Sequence, residues 1–295
     1  MKVRFAVAPN SPALESTPIF AFAEALETSG FDGVWLSDLP LAPALDPLLG
    51  LAAIAARTTR LRLGANVVPL GRNPFLLAKA LAQLDQLAGG RLLLSFVPGL
   101  DQPGEREALG LEGANRGAVL EEVLDLVRAW WAGEEVAHHS ARWSFTGLSA
   151  AARPVQDPLE VWLGGRGPKA LDRVGRIADG WLGAMVTPEE ARAGRERIQE
   201  SAERAGRVVD PEHFGLSIAY ARSAPEPAVL RSFRERRSDI DPLALLPIGQ
   251  PALRSLIARH IDAGLSKFVV RPAGSVASWE EEVEWLAGAI LDLQT

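Results

Sequence analysis

Gly164-Gly165-Arg166-Gly167-Pro168 stands between the apolar run Val161-Trp162-Leu163 and a helical stretch at 169–177, so a strand, a glycine turn and a helix start follow one another. A junction of this kind suits an anion. Glycines let a phosphate approach the backbone, proline fits the first helical position, and the free N–H groups of the opening turn carry partial positive charge. Arg166 adds a forked cation. Any βα loop also needs glycines, so the pentapeptide taken alone reads equally as a plain turn. Asp38, directly after Val34-Trp35-Leu36-Ser37, is the candidate for acid–base work, its alternative being to cap the following turn. Asn66, polar within Leu63-Gly64-Ala65-Asn66-Val67-Val68, either satisfies nearby backbone groups or meets a ligand.

These residues need elements to hold them. Apolar strand patterns at 3–8, 33–37, 61–67, 91–97, 160–163, 180–184, 215–220 and 267–270 alternate with helical patterns at 19–28, 46–57, 74–87, 116–131, 169–177, 188–205, after 225, 251–263 and 279–293. Prolines 74, 188 and 251 stand at helix starts, and Gly64, Gly89-Gly90, Gly164-Gly165 and Gly264 mark element ends. Parallel strands need crossover helices, so eight such units predict an α/β fold, a closed (β/α)8 TIM barrel forming a single domain over residues 1–295. Ligand chemistry in a barrel sits where strands end. That singles out Pro9 and Asn10, Ser37 and Asp38, Asn66 and Val67, Pro98 to Asp101, the Gly164 loop, Met185 to Thr187, and Arg271. Irregular insertions near 133–158 and 238–250 either cover the mouth, merely pack on the barrel, or mediate dimerisation.

Composition narrows the partners. The 295 residues are 47% hydrophobic and 23% charged with net charge −6 and no Lys/Arg block, which argues against nucleic acid or an anionic membrane as a partner. No apolar run approaches the roughly 20 residues of a bilayer span, residues 1–8 read as a strand rather than a signal peptide, and a cytoplasmic location is expected. The absence of cysteine removes thiolate catalysis and Cys-ligated metal, and the four histidines lack metal-type spacing, so no metal is expected. Trp130, Trp131, Trp279 and Trp285 fall on helices and are expected on the barrel's outer face. The charged helix at 192–207 reads as a solvated face.

Longer fragments carry a family resemblance. Gly30-Phe31-Asp32-Gly33-Val34-Trp35-Leu36-Ser37-Asp38, Thr59 to Gly64, Arg72-Asn73-Pro74, Leu84-Asp85-Gln86-Leu87-Ala88-Gly89-Gly90-Arg91-Leu92, Glu107 to Gly110, Arg116-Gly117, Arg153-Pro154-Val155-Gln156, Val161 to Gly165 and Ala178-Asp179-Gly180-Trp181 occur in order over nearly the whole chain. In that order and spacing the chain resembles the bacterial luciferase-like flavin-dependent oxidoreductases, including their deazaflavin branch. The resemblance implies a barrel with insertions, a homodimer, and a coenzyme, F420 (a deazaflavin) or FMN, at the C-terminal strand ends. It places Asp38 near the pyrimidine side of the ring, Asn66 and Val67 in a supporting bulge with a cis peptide between them, and Gly164, Gly165, Arg166 and Gly167 at the phosphate.

Two departures bear on the chemistry. Leu39 stands where deazaflavin relatives place a histidine, and Ser95-Phe96-Val97-Pro98-Gly99-Leu100 replaces a glycine-rich run. Phe96 and Val97 are read as packing against the ring or filling its space, and Leu100, not acidic, argues against a sugar-phosphate dehydrogenase. The leading reading is hydride transfer between a deazaflavin and a small organic substrate, with the coenzyme carrying the chemistry. The alternatives are an FMN-dependent monooxygenase using reduced flavin and oxygen, and a non-catalytic flavin-binding or structural barrel. Leu39 and Phe96 favour the last, and the intact Gly164 loop opposes it.

Overall fold

The computed structural model of the chain describes residues 1–9, 19–100 and 102–295, with backbone alone at Pro103. Asn10 and Asp101, two of the strand-end candidates, lie outside the described residues. The first half runs β1 (Arg4–Val7), α1 (Ile19–Ser29), β2 (Gly33–Ser37), α2 (Pro47–Ala55), β3 (Arg62–Val67), α3 (Pro74–Ala88), β4 (Leu92–Phe96), α4 (Pro103–Ala108) and α5 (Arg116–Ala132). A hairpin of β5 (Glu135–His139) and β6 (Ser144–Ser149) follows. The second half runs β7 (Val161–Gly164), α6 (Pro168–Ile177), β8 (Gly180–Ala184), α7 (Pro188–Arg204), β9 (Phe214–Tyr220), α8 (Pro227–Arg236), α9 (Pro242–Leu245), α10 (Gly249–Asp262), β10 (Lys267–Pro272) and α11 (Trp279–Ile290). Eight parallel strands close in the order β1-β10-β9-β8-β7-β4-β3-β2, the TIM barrel that the alternation of patterns predicts.

Side-chain alternation divides each strand between helix layer and lumen. Phe5, Val34, Leu63, Leu94, Val161, Phe214 and Phe268 join the core beneath the helices, while Ala6, Ala8, Trp35, Leu182 and Val269 cluster inside the barrel with Leu93 and Trp162. Two indoles fill the lower lumen because their neighbours are glycines. A Cβ on Gly64 would lie 2.0 Å from the Trp35 ring, and one on Gly180 would lie 2.5 Å from the Trp162 ring. Above this floor the lumen-facing Ser37, Asn66, Ser95, Gly164 and Ala184 are small or polar.

The segment 133–158 is more ordered than the sequence suggests and does not cover the mouth. Its β5–β6 hairpin packs on the outer side of α5. The Trp130 indole N–H donates to the Leu148 carbonyl at 2.8 Å and its ring meets Phe145 edge-on at 5.2 Å. Trp130, Trp131 and Trp279 are buried in the helix layer and Trp285 is partly buried there, as expected of them. The other insertion does reach the mouth. Ala219, near the upper end of β9, packs with Phe233 of α8, Leu245 of α9 and Leu246, which roof the β8–β9 sector. No helix of the described residues is long and apolar enough to cross a membrane.

One buried group makes the fold pH-sensitive. His260 on α10 is 1% exposed, and burial pushes its imidazole down to about 4, with Arg259 acting in the same direction and Glu189 of α7 opposing. The folded-state value lies below the ordinary 6.5, so as pH falls from 6.5 towards 4 the unfolded chain takes up a proton that the folded one refuses, and stability is lost across that window. The full effect is about 3 kcal/mol. Urea unfolding at pH 7 and pH 4 should show that His260→Leu flattens this part of the slope; an unchanged slope would assign it to other groups.

Candidate active site

The mouth is built from the last lumen-facing residue of each strand. On β2, β3 and β4, Ser37, Asn66 and Ser95 lie side by side, paired in register Ser37 to Asn66 and Asn66 to Ser95. The Asn66 amide donates to Ser37 Oγ at 3.1 Å. Asn66 Oδ1, Ser95 Oγ and the Trp35 indole N–H one layer below are buried without a hydrogen-bond partner. Buried polar atoms are rarely left so, and three from adjacent strands form a shelf suited to the polar edge of a ring with alternating carbonyl and N–H groups.

Asn66 and Val67 do not form the expected bulge. β3 pairs without interruption to β2 and β4 through these residues, and the Asn66 and Val67 carbonyls accept from Asp38 N at 2.8 Å and Val97 N at 2.9 Å. The regular ladder holds their peptide trans, and the one cis bond among the described residues is Asp157-Pro158. Val67 and Phe96 turn outward into the helix layer, each fully buried there, so neither faces a ligand in the mouth. The lumen-facing neighbour is Val97, whose Cγ1 would lie 3.0 Å from a Cβ on Gly164.

Asp38 is engaged from two sides. Its Oδ2 accepts from Val68 N at 3.1 Å and from the Arg72 guanidinium at 2.9 Å, and the same Arg72 nitrogen donates to Asp46, the N-cap of α2. The carboxylate thus clamps the corner after β3.

The glycine turn after β7 is set by its surroundings. Gly165 has φ 111°, a conformation that favours glycine, and its carbonyl accepts from the buried Trp181 indole at 2.8 Å. Gly167, the N-cap of α6, has φ −75° and ψ 156°, nearly those of the Thr187 cap of α7, and a Cβ there would touch nothing within 4 Å. Its backbone does not require glycine. What glycine does here is leave the helix start without a side-chain cap.

That open helix start borders a cleft of about 710 Å³ between α5 and α6, lined also by Arg106, Arg116, Lys169 and Arg173. Arg116 is pinned by donating to the Pro98 carbonyl at 2.9 Å, and Arg173 by Glu121 at 2.8 Å. The Ala170 and Leu171 N–H groups donate to the Gly167 carbonyl at 2.9 and 3.0 Å, so the Lys169 N–H, the helix dipole and the nearby cations are what suit an anion here. Arg166 is outside the cleft: its guanidinium donates to the Arg236 carbonyl at the end of α8 at 3.0 Å. The cleft cations come from α4, α5 and α6, and the helical spacing at 116–131 carries no sign that Arg116 reaches the end of β4. Asn115-Arg116-Gly117, a side-chain cap opening a helix, was the available clue.

Comparison with known proteins agrees with this architecture. Residues 3–288 match the model of the luciferase-like monooxygenase family. The chain is 29% identical to a 5,10-methylenetetrahydromethanopterin reductase of Methanolobus tindarius over 72% of the chain, and the match spans 62% of that protein. It is 27% identical to an F420-dependent glucose-6-phosphate dehydrogenase of Nakamurella multipartita over 90% of the chain and 86% of that protein. Among solved structures, the coenzyme F420 dependent tetrahydromethanopterin reductase from Methanopyrus kandleri superposes with a TM-score of 0.81 at 18% identity, covering 100% of both chains, which is a likeness of fold.

Proposed function

Because the chain belongs to the luciferase-like monooxygenase family, we propose that it is an oxidoreductase moving hydride between the deazaflavin coenzyme F420 and a small organic molecule in the barrel mouth. The observation that carries this reading is the uncapped start of α6 opening on a cation-lined cleft. The choice of deazaflavin over FMN, whose phosphate the same cradle would accept, is supported by the F420-dependent relative.

In this reading Gly164, Gly165 and Gly167 with Lys169 and Arg116 hold the anionic tail, and Trp35, Asn66 and Ser95 meet the polar edge of the ring beside Val97. Bound there, a deazaflavin supplies a two-electron hydride carrier. The chain's own task is to bind, orient and exclude water, through the Trp35 and Trp162 floor and the α8–α9 roof. Since its Oδ2 is held by Arg72 and Val68, we assign Asp38 to positioning the mouth rather than to proton transfer. This arrangement is consistent with Leu39, since a hydride carrier asks little of a neighbouring base. We read the working form as a cytoplasmic homodimer, for which the exposed Leu49 of α2 and Leu76 and Leu87 of α3 offer apolar surface.

The test is to titrate the purified chain separately with F420 and FMN by fluorescence, then to assay turnover with candidate reductants and acceptors. Saturable binding of F420 with turnover is expected. Binding of neither would end the enzyme reading, and binding without turnover of any partner would favour a non-catalytic barrel.

A further inference from the structure

Arg271 is a partly buried cation without a counter-charge among the described residues. It lies on β10 in register with Ala219, two residues beyond the lumen-facing Val269, so its side chain enters the barrel at the mouth. Among the described residues it is the one arginine that is shielded from full solvent exposure yet has no ion pair, hydrogen bond or aromatic ring against its guanidinium. The roof explains the shielding, since Ala219 beside it and Ala273 after it both pack into the α8–α9 cluster. Burial pushes its guanidinium down from the ordinary arginine range, and the charged neighbour that acts on it, Arg236 of α8, is a second cation pushing the same way.

A partly buried, unpaired charge costs desolvation energy, and a ligand anion that completes it would recover that cost. In the reading above the coenzyme's phosphate is not that partner, because the cleft proposed for it lies at the end of β7, and β8 and β9 stand between β7 and β10. Resting on the oxidoreductase reading above, we infer that Arg271, assisted by Arg236, receives an anionic group of the substrate, a carboxylate or a phosphate monoester, and so selects acidic over neutral molecules for the mouth. A guanidinium suits either anion, since both offer two oxygens to its fork.

Calorimetric titration with succinate and with inorganic phosphate, each with and without F420, tests this on the wild type, Arg271→Met and Arg271→Lys. At least one anion should bind the wild type, the methionine variant should weaken it tenfold or more, and the lysine variant should recover most of the loss; which anion binds identifies the group. The urea midpoint of Arg271→Met should hold or rise, because a desolvated cation has been removed, whereas a structural role for Arg271 would lower it. F420 affinity should change less than threefold. Failure of both anions to bind the wild type, equal binding by Arg271→Met, or a tenfold loss of F420 affinity in that variant would overturn the inference. If the wild type binds no F420, the deazaflavin reading fails, while the titrations without coenzyme still decide the role of Arg271.

Discussion

Gly167→Asp should weaken F420 binding at least hundredfold while leaving the protein as stable as before or slightly more so. The two effects have one cause. Residue 167 already has the dihedrals of a capping residue and open space at its Cβ, so an aspartate carboxylate can accept the Lys169 N–H and lie at the positive end of the α6 dipole. That should stabilise the fold by about 0.5 kcal/mol. The same carboxylate occupies the amide that the coenzyme's phosphate would use and repels it at close range. Loss of even one charge-assisted hydrogen bond costs about 1.5–3 kcal/mol, and with the added repulsion the total exceeds the roughly 2.7 kcal/mol of a hundredfold change. Gly167→Ser, a neutral cap, should lose about tenfold for want of the repulsion. Fluorescence titration beside urea unfolding reads both quantities. Undiminished affinity in Gly167→Asp would move the coenzyme's anion away from α6.

Asp85→Ala should be strongly destabilising, costing about 3–5 kcal/mol. Asp85 sits on α3 with no exposure, and its two oxygens accept from Val155 N at 2.8 Å, Gln156 N at 2.9 Å and the Gln156 side-chain amide at 2.7 Å. That amide also donates to the Leu92 carbonyl at the start of β4 at 2.9 Å. One carboxylate therefore ties the segment leading into β7 to the helix and strand of the preceding unit, and alanine would leave the two backbone donors unpaired. Asp85→Asn, which keeps one acceptor, should lose about half as much. Urea unfolding checks the order of the three proteins; a loss below about 1 kcal/mol in the alanine variant would show that water replaces the carboxylate without difficulty.

The barrel was legible because its signal is repeated. Each strand is a short apolar run and each crossover a longer helical one, and the eight predicted strands all lie in the closed sheet. The β5–β6 hairpin was not legible, since most of its side chains are partly or fully exposed and its residues form no apolar run. Phase within the strands was hidden for the opposite reason. Leu92-Leu93-Leu94 is apolar on both faces, as parallel strands buried on two sides are, so nothing in the run tells which residue enters the lumen. That is why the sequence reads Phe96 and Val97 together although only Val97 faces the lumen, and why Ser95 escaped notice. The glycine turn was visible in sequence as a local motif. Its cations were not, because Arg106, Arg116, Lys169 and Arg173 meet only once the crossovers after β4 and β7 pack side by side. Arg166, the nearest cation in sequence, is drawn instead to the carbonyl end of α8.

The most direct measurement is an electron-density map of crystals grown with F420. The phosphate should lie against the amides of Gly167 and Lys169 in the α5–α6 cleft, with the ring's polar edge on Asn66 and Ser95. Density for the coenzyme elsewhere, or a mouth filled by side chains with the α6 start left to water, would contradict this placement.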